Sequence, residues 1–170
     1  FMNRKMLPTE EEQVEAYRRV IRPMKNKRVT LRTMDLGDDK VLEVTASEDL
    51  NLSSAEELAL SLGKRGLGFF QAHPDIFDTQ LRAMLRAAVG SDARIMLPMV
   101  VSPWELDFAH SRLAKAEADL QRAGVKYKEN IPLGAMIEVP AAAIWVQAFL
   151  PKLDFISLGT NDLIQHTLAR

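Results

Sequence analysis

The chain contains no cysteine among its 170 residues, which excludes disulfides, thiolate metal sites and a cysteine nucleophile within it. Its formal net charge is only −1, so no long-range field of one sign favours nucleic acid or a charged membrane surface as a partner. No apolar run reaches the length of a transmembrane helix. We therefore expect a cytoplasmic protein that binds neither nucleic acid nor membrane.

The composition of the chain suits a folded domain. Hydrophobic residues make up 47% of the sequence, which is enough for a sizeable core, and the length is that of one domain. The first residue is Phe1, not methionine, and Arg170 follows shortly after a helix begins. We therefore expect residues 1–170 to be a fragment of a larger domain.

Residues 133–162 are the most informative stretch and are typical of strand, helix and strand. The first apolar strand ends on Glu138, and the second is followed by Asn161 and Asp162. Apolar runs of this kind, joined by 10–15 residues, are typical of parallel strands that are buried on both faces. Functional groups in parallel α/β folds gather beyond the carboxyl ends of the strands. Two carboxylates placed there would suit a hard cation such as Mg²⁺.

The rest of the chain continues the same alternation. Four strands are predicted to begin near residues 28, 94, 132 and 154, with helices between them. Helix starts are marked by capping boxes at Thr9 and Ser102, Pro23 is expected to end the first helix, and residues 41–58 are predicted to be a long loop. This order indicates an α/β fold with a parallel sheet. Four strands would be half of an eight-stranded barrel, and an open doubly wound sheet is the alternative.

Two arginines add an anion-binding character to the predicted strand ends. Arg32 closes the first strand, and Arg65 lies among glycines that would let the backbone approach a ligand closely. The guanidinium group binds phosphate or carboxylate through two hydrogen bonds. Together with a divalent cation and the amide of Asn161, the two arginines suit a small anion that carries both a phosphate and a carboxylate.

Each of these residues also has a simpler interpretation. Arg32 could pair with a surface carboxylate, and the glycines around Arg65 could form an ordinary loop and helix start. Asn161 or Thr160 could cap a helix whose dipole favours Asp162 in its first turn. Glu138 is the hardest to explain in this way, because a carboxylate at the end of an apolar strand needs a partner or a metal if it is buried.

Taken together, these motifs resemble the C-terminal phosphoenolpyruvate-binding domain of enzyme I of the sugar phosphotransferase system, a phosphoenolpyruvate–protein phosphotransferase. The matching segments occur in the order and spacing of that family and span nearly the whole chain. They are Leu-Pro-Thr-Glu-Glu-Glu-Gln (7–13), Leu-Arg-Thr-Met-Asp-Leu-Gly-Asp-Asp-Lys (31–40), Leu-Gly-Lys-Arg-Gly (62–66), Gln-Leu-Arg-Ala-Met-Leu-Arg-Ala (80–87), Arg-Ile-Met-Leu-Pro-Met-Val (94–100), Met-Ile-Glu-Val-Pro-Ala-Ala (136–142) and Asp-Phe-Ile-Ser-Leu-Gly-Thr-Asn-Asp-Leu (154–163).

The resemblance implies a (β/α)8 barrel of the TIM type, of which this chain would carry about four strands, roughly the third to the sixth. It implies that Arg32 and Arg65 bind the phosphate of phosphoenolpyruvate, that Glu138 and Asp162 ligate Mg²⁺, and that Asn161 and Asp162 contact the substrate. In this family the phosphoryl group passes to a histidine on a swivelling domain and then to a histidine-bearing phosphocarrier protein. The resemblance also implies a homodimer when the protein is full length. The phosphohistidine domain and the remaining strands would lie outside this chain, which is expected to be inactive alone.

Two alternatives remain open at this stage. Pyruvate phosphate dikinase and phosphoenolpyruvate synthase are enzymes of the same larger family, although the glutamate-rich start and the Arg-Thr-Met-Asp strand are more similar to enzyme I. A non-catalytic phosphoenolpyruvate-binding regulatory module is the other alternative. It is suggested by Ala59, Leu60 and Gly68, which stand where the family usually has other residues.

Overall fold

Four parallel strands form the centre of the fold in the computed structural model, which describes residues 7–25, 27–35 and 65–168. Each strand pairs in parallel with the next one along the chain, so the spatial order is β1-β2-β3-β4. The strands are β1 (Val29–Arg32), β2 (Ala93–Leu97), β3 (Leu133–Ile137) and β4 (Phe155–Leu158). An α/β fold with a four-stranded parallel sheet is therefore confirmed, and every strand begins within one residue of its predicted start.

Helices connect the strands, as the alternating pattern predicted. They are α1 (Glu10–Met24), α2 (Leu67–Ala72), α3 (Pro74–Ala87), α4 (Pro103–Arg122), α5 (Pro140–Ile144), α6 (Val146–Phe149), a single 3-10 turn (Leu150–Lys152) and α7 (Thr160–Leu168). Both predicted capping boxes are present, one between Thr9 and Glu12 and the other between Ser102 and Glu105. In the described parts of the chain, no helix is both long and apolar enough to span a membrane.

The core lies between one face of the sheet and the helices. Ile95, Leu97 and Ala135 are fully buried there, and Phe70 stacks on Phe77 with 4.5 Å between the ring centres. The opposite face is only partly covered, because burial alternates along β1 and β2 instead of being continuous. The prediction that the strands are buried on both faces is therefore confirmed for β3, in which four of five residues are buried, and wrong for β1, β2 and β4.

The end of α1 and the helical span after β3 differ from the predicted pattern. Pro23 does not end α1, which continues to Met24, because a proline in the last turn costs only one hydrogen bond before the chain turns at Lys25. The helical span after β3 is broken into short pieces at Trp145, whose backbone leaves the helical region. The predicted loop at residues 41–58 lies outside the described residues.

Ion pairs fasten the helices to one another. The Asp78 side chain on α3 is 5% exposed and binds both Arg112 and Lys115 of α4. Further along α3, Arg82 and Arg86 donate hydrogen bonds to Glu10 of α1, at 2.8 and 2.7 Å. These contacts hold the helical layer in register behind the sheet.

Candidate functional site

The carboxyl ends of the four strands bring the predicted site residues to one edge of the sheet. Arg32 is the last residue of β1, Glu138 directly follows β3, and Asp162 lies in the first turn of the helix after β4. Because all neighbouring strands are parallel, these positions share an edge, which we call the carboxyl rim.

Asp35 joins the two predicted anion-binding arginines. Its Oδ2 atom accepts hydrogen bonds from the Nη2 atoms of Arg32, at 2.9 Å, and of Arg65, at 3.2 Å. The Asp35 side chain is only 10% exposed, whereas Arg32 and Arg65 are 43% and 33% exposed. One nearly buried carboxylate therefore holds two partly accessible guanidinium groups side by side.

Arg65 reaches the carboxyl rim because Gly66 allows the chain to pass close to β2. Gly66 has φ +54°, and a Cβ atom at this position would lie 2.9 Å from the carbonyl oxygen of Pro98. A larger residue would suffer both the left-handed backbone conformation and this contact. Gly66 thus directly precedes α2 and also brings Arg65 to Asp35, beyond the end of β1.

Glu138 is completely buried at the carboxyl rim. Its Oε1 atom accepts the backbone N–H of Met99 at 2.7 Å, and Met99 has a φ of +52°, which is uncommon for a residue other than glycine. Gly159 lies against the same carboxylate, since a Cβ there would be 2.5 Å from the Glu138 Cβ and 2.6 Å from its Oε2. The backbone on both sides is therefore shaped around this side chain.

Burial raises the pKa of Glu138 above its ordinary value. The hydrogen bond from Met99 and the positive charge of Arg32 act in the opposite direction, and the negative charges of Asp162 and Asp35 add to the rise. The charged groups of Arg32, Asp35 and Asp162 therefore lie close enough to Glu138 to act on its ionisation. Such coupling is common where carboxylates are gathered for binding or catalysis.

Unpartnered polar atoms are concentrated at the same rim. Within the described residues, four buried side-chain atoms have no hydrogen-bond partner: Thr33 Oγ1, Asp35 Oδ1, Arg65 Nε and Glu138 Oε2. A buried polar group without a partner typically costs about 1–3 kcal/mol. Four of them at one edge of a sheet is the pattern of a binding site and not of a stabilising core.

The structure also decides between interpretations that the sequence left open. Arg32 does pair with a carboxylate, but with the nearly buried Asp35 and together with Arg65. Helix α7 begins at Thr160, so Asn161 and Asp162 lie in its first turn and not at a cap position. Asp162 is half-buried beside Glu138, and Asn161 is exposed on the same turn.

The sequence assigned no role in the site to three residues that shape it. Asp35 was visible three positions after Arg32, but its role depends on Arg65, which is distant in sequence. The positive φ of Met99 has no signal in the sequence beyond the neighbouring proline, and Gly159 resembles any glycine at a strand end. Their functions follow only from the folded positions of Glu138 and Arg65.

The donor set of the carboxyl rim suits Mg²⁺ with a phosphate or carboxylate ligand. Among the described residues no three histidine, cysteine, aspartate or glutamate side chains form a complete metal cluster. Glu138 Oε2 and the Asp162 carboxylate do provide two oxygen donors, and Mg²⁺ is typically bound by one or two carboxylates together with substrate phosphate and water. Arg32 and Arg65 supply the complementary positive charge for the anion.

A pocket of about 370 Å³ lies next to the site and is lined in part by Arg32 and Asp35. Arg32, Met34 and Asp35 form one wall, and residues of α1, of the segment before it and of α3 form the others. The lining residues are Leu7, Pro8, Gln13, Tyr17, Arg32, Met34, Asp35, Asp75, Ile76, Thr79 and Gln80. The site is thus bordered by a partly apolar space between the first two long helices.

Comparison with known sequences agrees with this geometry. Residues 1–170 match the family described as PEP-utilising enzyme, PEP-binding domain. The chain is 44% identical over 169 residues to a phosphoenolpyruvate-protein phosphotransferase of Staphylococcus epidermidis, covering 99% of this chain and 28% of that protein. It is 43% identical, with the same coverage, to the proteins of that name from Listeria monocytogenes and Staphylococcus carnosus.

The chain therefore spans a little over a quarter of the length of these relatives. The family match, in contrast, includes every residue from Phe1 to Arg170. From the parallel sheet, the paired arginines and the buried glutamate at one rim, and from this match, we conclude that the chain belongs to the family of PEP-binding domains of PEP-utilising enzymes.

Proposed function

We propose that this chain forms part of the substrate site of a phosphoenolpyruvate-dependent phosphotransferase. The complete enzyme transfers the phosphoryl group of phosphoenolpyruvate to a protein histidine and then to a histidine-bearing phosphocarrier protein. The names of the relatives support this activity over that of a dikinase. We place the histidine domain in the rest of the enzyme, a proposal that the 28% coverage of those relatives supports.

The observation that carries this proposal is the sharing of Asp35 by Arg32 and Arg65 opposite the buried Glu138. Phosphoenolpyruvate is a small molecule that carries a phosphate and a carboxylate. Two adjacent guanidinium groups can bind such an anion through several parallel hydrogen bonds. Arg65 Nε is buried without a partner among the described residues and provides one further donor. The arginine pair is therefore oriented before the substrate arrives.

Mg²⁺ would be held by Glu138 and Asp162. The ion, when bound, neutralises negative charge on the phosphoryl group and on the enolate that remains after transfer. Glu138 Oε1 already accepts the Met99 N–H, so Oε2 would be the oxygen available to the ion. Asn161, one residue before Asp162 on the same helical turn, would contact the substrate with its side-chain amide.

The reaction at this site consists of one phosphoryl transfer, to the histidine of the enzyme, and one protonation. The bond between phosphorus and the enol oxygen breaks, a bond between phosphorus and a histidine nitrogen forms, and the enolate takes up a proton to give pyruvate. In this step Arg32 and Arg65 hold the phosphoryl oxygens and offset their charge. Catalysis therefore depends on positioning and electrostatic stabilisation, as is usual for phosphoryl transfer.

The fold of the complete domain follows from the same proposal. The order β1-β2-β3-β4, without reversal, is that of a (β/α)8 barrel and differs from a doubly wound sheet, in which the order reverses. The partly open face of the sheet would become the barrel interior once four more strands closed it. We extend the proposal to a cytoplasmic homodimer in which a swivelling histidine domain reaches the carboxyl rim.

Radiolabelled phosphoenolpyruvate tests the activity in the full-length protein. We expect Mg²⁺-dependent labelling that is labile to acid and stable to base, as phosphohistidine is. Arg65→Lys should reduce the initial rate at low substrate at least about tenfold, because lysine cannot donate in the same planar geometry. Arg28→Lys is the matched control, since Arg28 lies at the opposite end of β1 and binds Asp92 at 3.0 Å.

Two outcomes would contradict the proposal. Equal losses in Arg65→Lys and Arg28→Lys would show that the carboxyl rim is not where the substrate binds. Tight binding of phosphoenolpyruvate without any phosphohistidine would instead identify a non-catalytic regulatory module.

A further inference from the structure

A buried amide connects the two long helices α1 and α3 to the segment that carries Asp35. Gln80 on α3 is 6% exposed and makes two hydrogen bonds across the core. Its Oε1 atom accepts the backbone N–H of Met34 at 3.0 Å, and its Nε2 atom donates to the Tyr17 hydroxyl of α1 at 3.0 Å. One side chain therefore contacts both α1 and the chain that leaves β1.

The position of Met34 makes this contact important for the site. The N–H of Thr33 still bonds to the carbonyl of Met96, at 3.0 Å, and so continues the sheet ladder. Met34 lies beyond β1, and its backbone N–H donates to the side chain of Gln80 instead of to a neighbouring strand. Gln80 thus fixes the backbone of the residue immediately before Asp35.

Asp35 passes this constraint on to the arginines. Its carboxylate binds Arg32 at 2.9 Å and Arg65 at 3.2 Å, so a shift of the Asp35 backbone would displace both guanidinium groups. Glutamine suits position 80 because its side chain offers an acceptor for the Met34 N–H and a donor for the Tyr17 hydroxyl at the same time.

We propose that Gln80 is a positioning residue for substrate binding, which acts through Met34 and Asp35 on Arg32 and Arg65. This inference rests on the proposed function, in which the two arginines bind the phosphoryl group of phosphoenolpyruvate. It assigns to α3, on the helical side of the sheet, a role in the affinity of the carboxyl rim.

Gln13 offers a matched control for a purely structural role. It is also 6% exposed and lines the same pocket, but its Nε2 atom donates to the carbonyl of Pro8 at 3.0 Å, at the start of α1. Gln13→Met and Gln80→Met therefore both remove a buried amide and a hydrogen bond to the backbone. Only the second removes the contact with the segment that carries Asp35.

The experiment compares steady-state kinetics of the full-length protein with phosphoenolpyruvate as the varied substrate. We expect Gln80→Met to raise KM about tenfold, the equivalent of one lost hydrogen bond, with kcat within about threefold of wild type. Gln13→Met should leave KM unchanged, although its melting temperature falls. Gln80→Glu should restore KM to within about threefold, because in either protonation state the carboxyl group accepts from Met34 and pairs with Tyr17.

A second variant keeps the test decisive if Gln80→Met does not fold. Tyr17→Phe leaves the Met34 bond in place but removes the hydroxyl that orients the Gln80 amide, and it should raise KM about threefold. The inference would be overturned if KM were unchanged in whichever of Gln80→Met and Tyr17→Phe folds. It would also be overturned if KM rose equally in Gln13→Met, or if Gln80→Glu failed to restore KM. A wild-type protein that forms no phosphohistidine would refute the proposed function itself, whereas an active wild type with an unaffected Gln80→Met refutes only this inference.

Discussion

Glu138 and Met99 form a hydrogen bond of 2.7 Å in which the buried carboxylate accepts the backbone N–H of a residue with φ +52°. A left-handed conformation at a residue other than glycine costs roughly 1–2 kcal/mol and persists where surrounding structure requires it. The bond fixes one oxygen of Glu138 and leaves Oε2 buried with no partner in the described part of the chain. The carboxylate is therefore held in one orientation, as a ligand group should be.

Glu138→Gln tests whether this orientation serves a metal. The amide keeps the acceptor for Met99 but removes the anionic donor, so we expect Mn²⁺, used as a paramagnetic substitute for Mg²⁺, to bind at least about tenfold more weakly. Electron paramagnetic resonance of free Mn²⁺ measures this binding directly.

Asp154→Asn is the control for the metal experiment. Asp154 accepts the Leu133 N–H at 2.8 Å at the opposite edge of the sheet. The amide of the variant keeps an acceptor for this N–H, so the loss of the charge should weaken the bond slightly and leave Mn²⁺ affinity unchanged. If Glu138→Gln binds Mn²⁺ as tightly as wild type, the carboxyl rim does not hold the metal through this residue.

Gly159→Ala should disable the same carboxylate through sterics alone. The added methyl group would lie 2.5 Å from the Glu138 Cβ, so the glutamate or the start of α7 has to move. We expect the rate of phosphoenolpyruvate-dependent labelling to fall at least about tenfold, because displacements of about 1 Å in an active site have effects of this size or larger.

Gly124→Ala provides the comparison for Gly159→Ala. Gly124 has φ +67°, and a Cβ added there would meet no heavy atom within 4 Å, so alanine should cost about 1 kcal/mol of stability through backbone strain. Labelling should remain at the wild-type rate. The steric argument would be wrong if the two variants lost activity equally.

Tyr17 should make stability depend on pH in the alkaline range. Burial raises the pKa of Tyr17 to about 12, from an ordinary value of 10.0, although the hydrogen bond from Gln80 acts to lower it. The stabilising effect is fully present below pH 10 and is lost as the pH rises through about 12, because only the unfolded chain ionises between these values. The loss amounts to at most about 3 kcal/mol.

Tyr17→Phe removes this ionisation and keeps the ring. The melting temperatures of the two proteins should therefore converge as the pH is raised from 8 to 11.5, or the variant should become the more stable. A constant difference across this range would mean that the Tyr17 hydroxyl ionises equally in folded and unfolded chains.

Asp78→Ala should reduce stability without affecting substrate affinity. Asp78 is nearly buried and binds Arg112 and Lys115, so its removal leaves a partly buried guanidinium without its carboxylate. Breaking such a pair costs about 3 kcal/mol. Asp107→Ala, which breaks the more exposed pair with Lys152, should cost less than about 1 kcal/mol. Chemical denaturation measures both, and equal costs would show that burial does not strengthen the Asp78 cluster.

The strand and helix pattern was readable from local sequence because its signals are short-range. Ser102, Pro103 and Glu105 mark the start of α4 within four residues, and the apolar runs at 93–97 and 133–137 identify strands by their length and flanking residues. Pro23 shows the limit of such signals, since a proline in the last turn can be accommodated. Which face of the sheet is covered depended on helices that pack from elsewhere in the chain.

The sequence by itself determined an α/β chain with Arg32, Glu138 and Asp162 near strand ends and Arg65 beside a glycine, because side-chain chemistry and strand boundaries are local properties. Only the tertiary structure decided that Asp35 joins the two arginines, that Met99 and Gly159 enclose Glu138, and that Gln80 supports the segment before Asp35. These contacts link residues up to 46 positions apart. They arise from parallel strand pairing and helix packing, which bring distant segments into contact in ways that no short stretch of sequence specifies.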